Sequence, residues 1–144
     1  MANIIPDAFK SELLSGTHNF ASGGNTFKIA LYITTLGPPY TTSSTVYSTT
    51  NEVSSSGTNY AAGGNALDGQ GVSVPGSNTA TVDFTNEVFS SVTLTSLGAA
   101  IYNSSASIKL CLVIDFGGDK VATSGDFTIL FPANAASTAI IQLA

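Results

Sequence analysis

Few side chains in this protein are of a kind that does chemistry, so each can be weighed in turn. His18 is the only imidazole and Cys111 the only thiol. Nucleophilic catalysis needs a nucleophile, a base and an orienting group in mutual reach. Serine is abundant, but no Gly-x-Ser-x-Gly elbow is present. His18 follows a helix stop at Gly16 and reads as a polar bridge into the next turn. Cys111 lies inside the most apolar run, where a free thiol behaves as a small hydrophobe. Asp115, Asp119 and Asp126 offer oxygens to a calcium ion, yet their spacing is not that of an EF-hand loop. Turn carboxylates bonding nearby amides account for them more simply. Asp115-Phe116-Gly117 spells the kinase metal-binding triplet, but the chain has no glycine-rich phosphate loop, no catalytic-loop motif and no arginine. Zinc needs three or four ligands of a kind this chain barely owns. Asn103-Ser104-Ser105 has the form of a glycosylation acceptor, which carries meaning only in a secreted chain. These residues predict no enzyme, no metal and no cofactor.

The elements that would position them read as β-structure. Residues 107–132 hold two apolar runs around a segment rich in Gly and Asp, and the second run stops at Pro132. In the first, Ile108, Leu110, Leu112, Ile114 and Phe116 share one parity and Cys111 and Val113 the other, the pattern of a strand buried on both faces. In the second, Phe127, Ile129 and Phe131 alternate with polar neighbours. The pattern predicts a long β-hairpin turning at Gly117–Lys120. Residues 26–34 form another strand, with Phe27, Ile29, Leu31 and Ile33 on one face and Lys28 and Tyr32 on the other, ended by Gly37-Pro38-Pro39. Further strands fall at 80–84, 90–95, 99–102 and 139–143. Residues 6–16 carry one short N-terminal helix, with Pro6 in its first turn, Gly16 as its stop, and Phe9, Leu13 and Leu14 on one face beside Ile5. That helix either lids one end of the β-core or docks on another subunit. Residues 40–76 are irregular, crowded with Ser, Thr, Gly and Asn and pinned by Tyr47, Val53, Tyr60 and Leu67. So long an excursion in a compact domain is usually functional or at an interface.

Length and composition agree with one domain over residues 1–144. A chain of 144 residues buries roughly two-thirds of its unfolded surface without staples. The count of seven or eight strands, evenly spaced by turns, is that of an all-β antiparallel β-sandwich, a jelly-roll being one arrangement of it. Charged residues are only 9%, against about 25% in an ordinary domain. Ser and Thr make up about a quarter of the chain, so the polar surface is mostly hydroxyls and amides. Such a surface repels neighbouring protein weakly and suits a subunit of an assembly. The net charge of −5 and four scattered lysines argue against nucleic acid. A single cysteine makes no intrachain disulfide. The opening residues lack the pattern of a signal peptide, and no apolar run approaches the ~18 residues that span a bilayer. The expectation is a soluble chain made in the cytoplasm, with no membrane partner.

Several segments together carry a resemblance. They are Pro6-Asp-Ala-Phe-Lys-Ser-Glu-Leu-Leu-Ser-Gly-Thr-His-Asn-Phe, Thr26-Phe-Lys-Ile-Ala-Leu-Tyr, Thr50-Asn-Glu-Val-Ser and Gly57-Thr-Asn-Tyr-Ala-Ala-Gly-Gly. With them go Asp115-Phe-Gly-Gly-Asp-Lys, Phe127-Thr-Ile-Leu-Phe-Pro-Ala and the closing Ala-Ile-Ile-Gln-Leu-Ala. Over almost the whole chain these resemble a family of small virion structural proteins of tailed bacteriophages. Where relatives often carry Trp or Arg around residues 88–97, this chain has Phe89 and Leu97. The resemblance implies a capsid cement or decoration protein on the virion surface, made in the host cytoplasm. Such a protein is often a homotrimer that binds the major capsid protein and stabilises the head. A tail, neck or fibre component, or a module binding host-surface glycans, are the alternatives it leaves open. The residues expected to meet the capsid or a second copy are Ile4, Ile5, Phe9, Leu13, Tyr40, Tyr47 and Tyr60.

Overall fold

Strand formation starts where apolar side chains crowd both parities, at residues Phe27–Tyr32 (β1), which are buried on both faces except at Lys28. A computed structural model describes residues 2–33, 40–76 and 78–144, so the predicted stop at Gly37-Pro38-Pro39 lies outside the described residues. One helix, α1 (Asp7–Leu14), precedes β1. After it come β2 (Asn65–Ala66), β3 (Gly71–Gly76), β4 (Thr79–Asp83), β5 (Glu87–Asn103), β6 (Lys109–Ile129) and β7 (Ile141–Leu143). They make two antiparallel sheets, ordered β2-β1-β5-β6 and β3-β4-β7. The fold is an all-β sandwich.

Two apolar clusters hold the layers. The larger lies between the sheets, where Phe27, Ile29 and Leu31 meet Ile101, Cys111, Phe127, Val82 and Ile141. Aromatic rings join the helix to both sheets through it: Phe9 lies edge-on to Phe20, Phe20 stacks on Phe27 at 4.1 Å, and Phe27 meets Phe84. Such ring pairs add about 0.5–1.5 kcal/mol each beyond their buried area. The smaller cluster lies on the other face of the four-stranded sheet, where Ala30, Tyr32, Ala100, Tyr102, Leu110 and Val113 are covered by Tyr40, Ile4 and Tyr47. The alternation of β1 is therefore as expected, and so is the two-sided burial of the run after Ser107.

The predicted hairpin at 107–132 is not the hairpin that forms. Its two runs are one continuous strand, β6, paired along its length with β5. The turn falls instead at residues 104–108, next to the Asn103-Ser104-Ser105 signal. The strands read at 90–95 and 99–102 are likewise one strand, β5. Bulges explain both misreadings. Ser96 pairs with Lys120 and Gly98 with Asp115, so β6 carries three extra residues there, and Gly117 and Gly118 take up positive φ. A second bulge, at Cys111, splits the parity of the apolar run: Ile101 pairs with Leu112 but Tyr102 with Leu110. Leu110 and Val113 thus share a face, and Cys111 and Leu112 the other.

The helix is shorter than expected. Phe9 is buried and Leu13 half-buried, while Leu14 is 85% exposed and not part of the apolar face. Gly16 at φ 75 ends it, as the sequence predicts.

The hairpin turn carries strain. Ile108 sits at φ 53, a region costly to a β-branched residue, and its side chain is 42% exposed. Ile108→Asn is expected to raise stability by about 1 kcal/mol, because Asn tolerates this conformation. Chemical denaturation with an unchanged slope is the measurement, and a lowered midpoint would contradict it.

Candidate functional site: two buried polar networks and an open groove

The chemistry-bearing residues do come together, around His18. Its Nε2–H donates to Glu12 Oε2 on α1 at 2.8 Å. On the other side Asn103 Nδ2 donates to His18 Nδ1 at 3.1 Å and to Asn25 Oδ1 at 3.0 Å, while Asn103 Oδ1 accepts from Ser105 N–H. The tautomer is assigned from this network. Lys109 Nζ donates to Glu12 Oε1 at 2.5 Å, and Cys111 Sγ lies 3.9 Å from His18 Nδ1. Thiol, imidazole and carboxylate thus stand in the order of a catalytic triad. The environment opposes that use. Cys111 is fully buried, and burial, with the charge of Glu12 behind it, pushes the thiol far above its usual range. The imidazole nitrogen facing the thiol is already taken by Asn103. The bridge expected of His18 is what forms, between helix, turn and hairpin end.

Burial raises the Glu12 carboxyl, but hydrogen bonds from Lys109 and His18 outweigh it and hold the group below its usual range. A carboxyl lowered on folding contributes stability above its unfolded pKa of about 4.5, and that contribution is lost as pH falls.

A second network gathers all five tyrosines around Glu52, which sits on the excursion between β1 and β2. Tyr47 and Tyr60 donate to its carboxylate at 2.5 and 2.7 Å, and Gly63 N–H donates at 2.7 Å. Tyr60 Oη also accepts from Leu31 N–H of β1, and Tyr102 donates to Gly63 C=O. Tyr32 and Tyr40 bond each other at 2.9 Å, and Tyr32 donates to Ser48 C=O. Tyr47 stacks on Tyr102 at 4.3 Å. Gly64 makes the approach possible: it sits at φ 72, and a Cβ there would lie 1.8 Å from Ile29 C=O. Burial, then the Glu52 charge, pushes the Tyr102 hydroxyl up to about 12 and those of Tyr47 and Tyr60 higher. These phenols stay protonated donors.

The expected interface residues separate on this basis. Phe9, Tyr40 and Tyr60 are buried in the chain's own core, where they complete ring contacts and hydrogen bonds. Ile4 pairs with Val113 on the edge of β6, and it, Leu13 and Tyr47 are half-buried. Ile5 alone of the seven is well exposed, at 48%. The aromatic anchors of the excursion therefore serve the single chain, because each finds its partners within it. Asp115, Asp119 and Asp126 are not brought together: Asp115 accepts from Gly117 N–H and Asp126 from Ser91 N–H. Among the described residues no cluster of three or more His, Cys, Asp or Glu could hold a metal ion, and no helix is long and apolar enough to cross a membrane.

Sequence reasoning did not find Glu52, Asn103 or the groove beside the distal half of β6. This open groove, about 590 Å³, is lined by Phe116, Val121, Phe127, Leu130, Phe131 and Ile140, with Lys120 and Asp126 among its polar residues. The segments at 50–54 and 57–64 held the signal for Glu52, since they contain the carboxylate, Tyr60 and the two glycines.

Glu52→Gln is expected to destabilise the fold by about 1–3 kcal/mol, since an amide presents one nitrogen to groups that all donate. Equilibrium unfolding measures it, and a change within a few tenths would contradict the hub assignment. Glu12→Gln is expected to flatten the loss of stability as pH falls below about 4.5. Unfolding free energies across acid pH test this, and parallel curves for the two proteins would refute it. Compared with protein-family models, curated proteins and solved structures, the chain matches none.

Proposed function

We propose that the protein is a structural subunit of a tailed-bacteriophage virion, a capsid cement or decoration protein that binds the major capsid lattice and stabilises the head. The observation that carries this reading is how the chain spends its side chains. Its histidine, cysteine, tyrosines and two of its glutamates are consumed in internal networks. Large apolar side chains meanwhile stand exposed at Ile5, Leu14, Val72, Val74, Val121, Leu130 and Leu143. On a surface so poor in charge, such side chains suit contact with other protein. The resemblance of the segments quoted above to phage virion proteins supports the same reading. Copies arrayed symmetrically clamp a lattice that each would hold weakly alone, so modest patches suffice.

The test is to localise the chain in purified virions by quantitative mass spectrometry and imaging. Copy number on the scale of the capsid lattice, with heads lacking the protein less resistant to heat, is the expected result. A copy number on the scale of one ring, found in tails, would replace this reading with a tail or neck role. Absence from virions would overturn both.

A further inference from the structure

We propose that the groove along the distal half of β6 is the contact between copies of this chain, with Lys120 of one copy meeting Asp126 of the next. The inference rests on the assembly reading above and adds the surface and the pairing. Four observations carry it. First, β6 is an edge strand whose outer side is covered only in its first half. Leu110 N–H donates to Thr45 C=O, Tyr47 N–H donates to Ile108 C=O, and Ile4 and Val113 each donate to the other's carbonyl. Beyond Asp115, no described backbone segment pairs with that side. Second, the lips of the groove are apolar and open, with Val121 67% and Leu130 73% exposed.

Third, a further bulge in β6, between Ala122 and Gly125, keeps this edge from being a strand template. Ser124, at φ 46, breaks the ladder between Lys120 and Asp126. The groove therefore favours side-chain packing over unlimited strand addition, which fits a closed assembly. Fourth, the two charges are self-complementary. Lys10 pairs with Asp7 and Lys109 with Glu12, but Lys120 has no carboxylate partner among the described residues. Asp126 uses Oδ1 for Ser91 N–H, leaving Oδ2 without a partner among the described residues. Both line the same groove and do not pair with each other. A rotation axis passing beside the groove brings Lys120 of each copy to Asp126 of its neighbour, and every copy makes the same contact. With 9% charged residues in the chain, little else opposes that approach.

Light scattering on size-separated full-length protein across a dilution series tests the proposal. The wild-type chain is expected to form a closed oligomer. Lys120→Glu should weaken association roughly three- to tenfold per contact by placing like charges together. Asp126→Lys should do the same, and the double exchange should restore much of the loss. Val121→Glu, at a side chain 67% exposed, should give monomers with an unchanged circular dichroism spectrum. A wild-type chain that stays monomeric at high concentration overturns the inference and leaves capsid binding by single copies standing. An oligomer indifferent to Lys120→Glu and Val121→Glu also overturns it, since the copies then meet elsewhere. Loss of head binding by an intact oligomer would instead count against the cement role.

Discussion

The Glu52 carboxylate is the constraint on which the irregular quarter of the chain depends. Residues 40–76 contain little regular structure, so their backbone groups must find partners singly. Glu52 collects two phenols and one amide, and each of those is tied to something further: Tyr60 to Leu31 of β1, Tyr47 to Tyr102 by stacking, Gly63 to Tyr102 through its carbonyl. Hydrogen bonds to a charged acceptor are shorter and about twice as strong as neutral ones. The excursion is thereby laid along the outer edge of β1, where Asn51 C=O, Val53 N–H and Leu67 N–H complete bonds that a bare edge would leave open. With the edge covered, both faces of β1 can be apolar, and the second cluster can form on the far side of the sheet.

The Glu12–His18–Asn103 network does the corresponding work at the other end. It ties the helix to the hairpin turn across about two-thirds of the chain, with Lys109 completing the carboxylate. Both networks lie against apolar clusters, where an unsatisfied polar group costs about 1–3 kcal/mol. No buried side-chain oxygen or nitrogen among the described residues lacks a partner. Full satisfaction of this kind fixes one arrangement of helix, turn and sheet against others of similar apolar burial.

Much of the fold was legible because alternation survives in β1 and because turn residues are clustered at Asn103. What was not legible has one physical cause: bulges. A bulge inserts residues that break the period of two, so long strands read as separate short ones, and Gly117-Gly118 read as a hairpin turn. The candidate site was harder. The anchors Val53, Tyr60 and Leu67 were visible as apolar residues in a polar segment, but not that they plug the chain's own core. Composition gives no direction to a side chain, so Phe9 and Tyr40 could be expected at an interface when their partners lie within. The groove depends on two remote segments and one edge, which no local pattern records.

The pairing of β1 sets the order in which this chain can fold. Phe27 must wait for Asn103 and Tyr32 for Gly98, whereas β5 and β6 close over a short turn. Loop closure over a long stretch delays the first kind of contact and not the second. During synthesis β1, buried on both faces in the fold, thus emerges early and stays without its partner until most of the chain has left the ribosome. Local contacts in the late-made hairpin then supply the template onto which the earlier residues collapse.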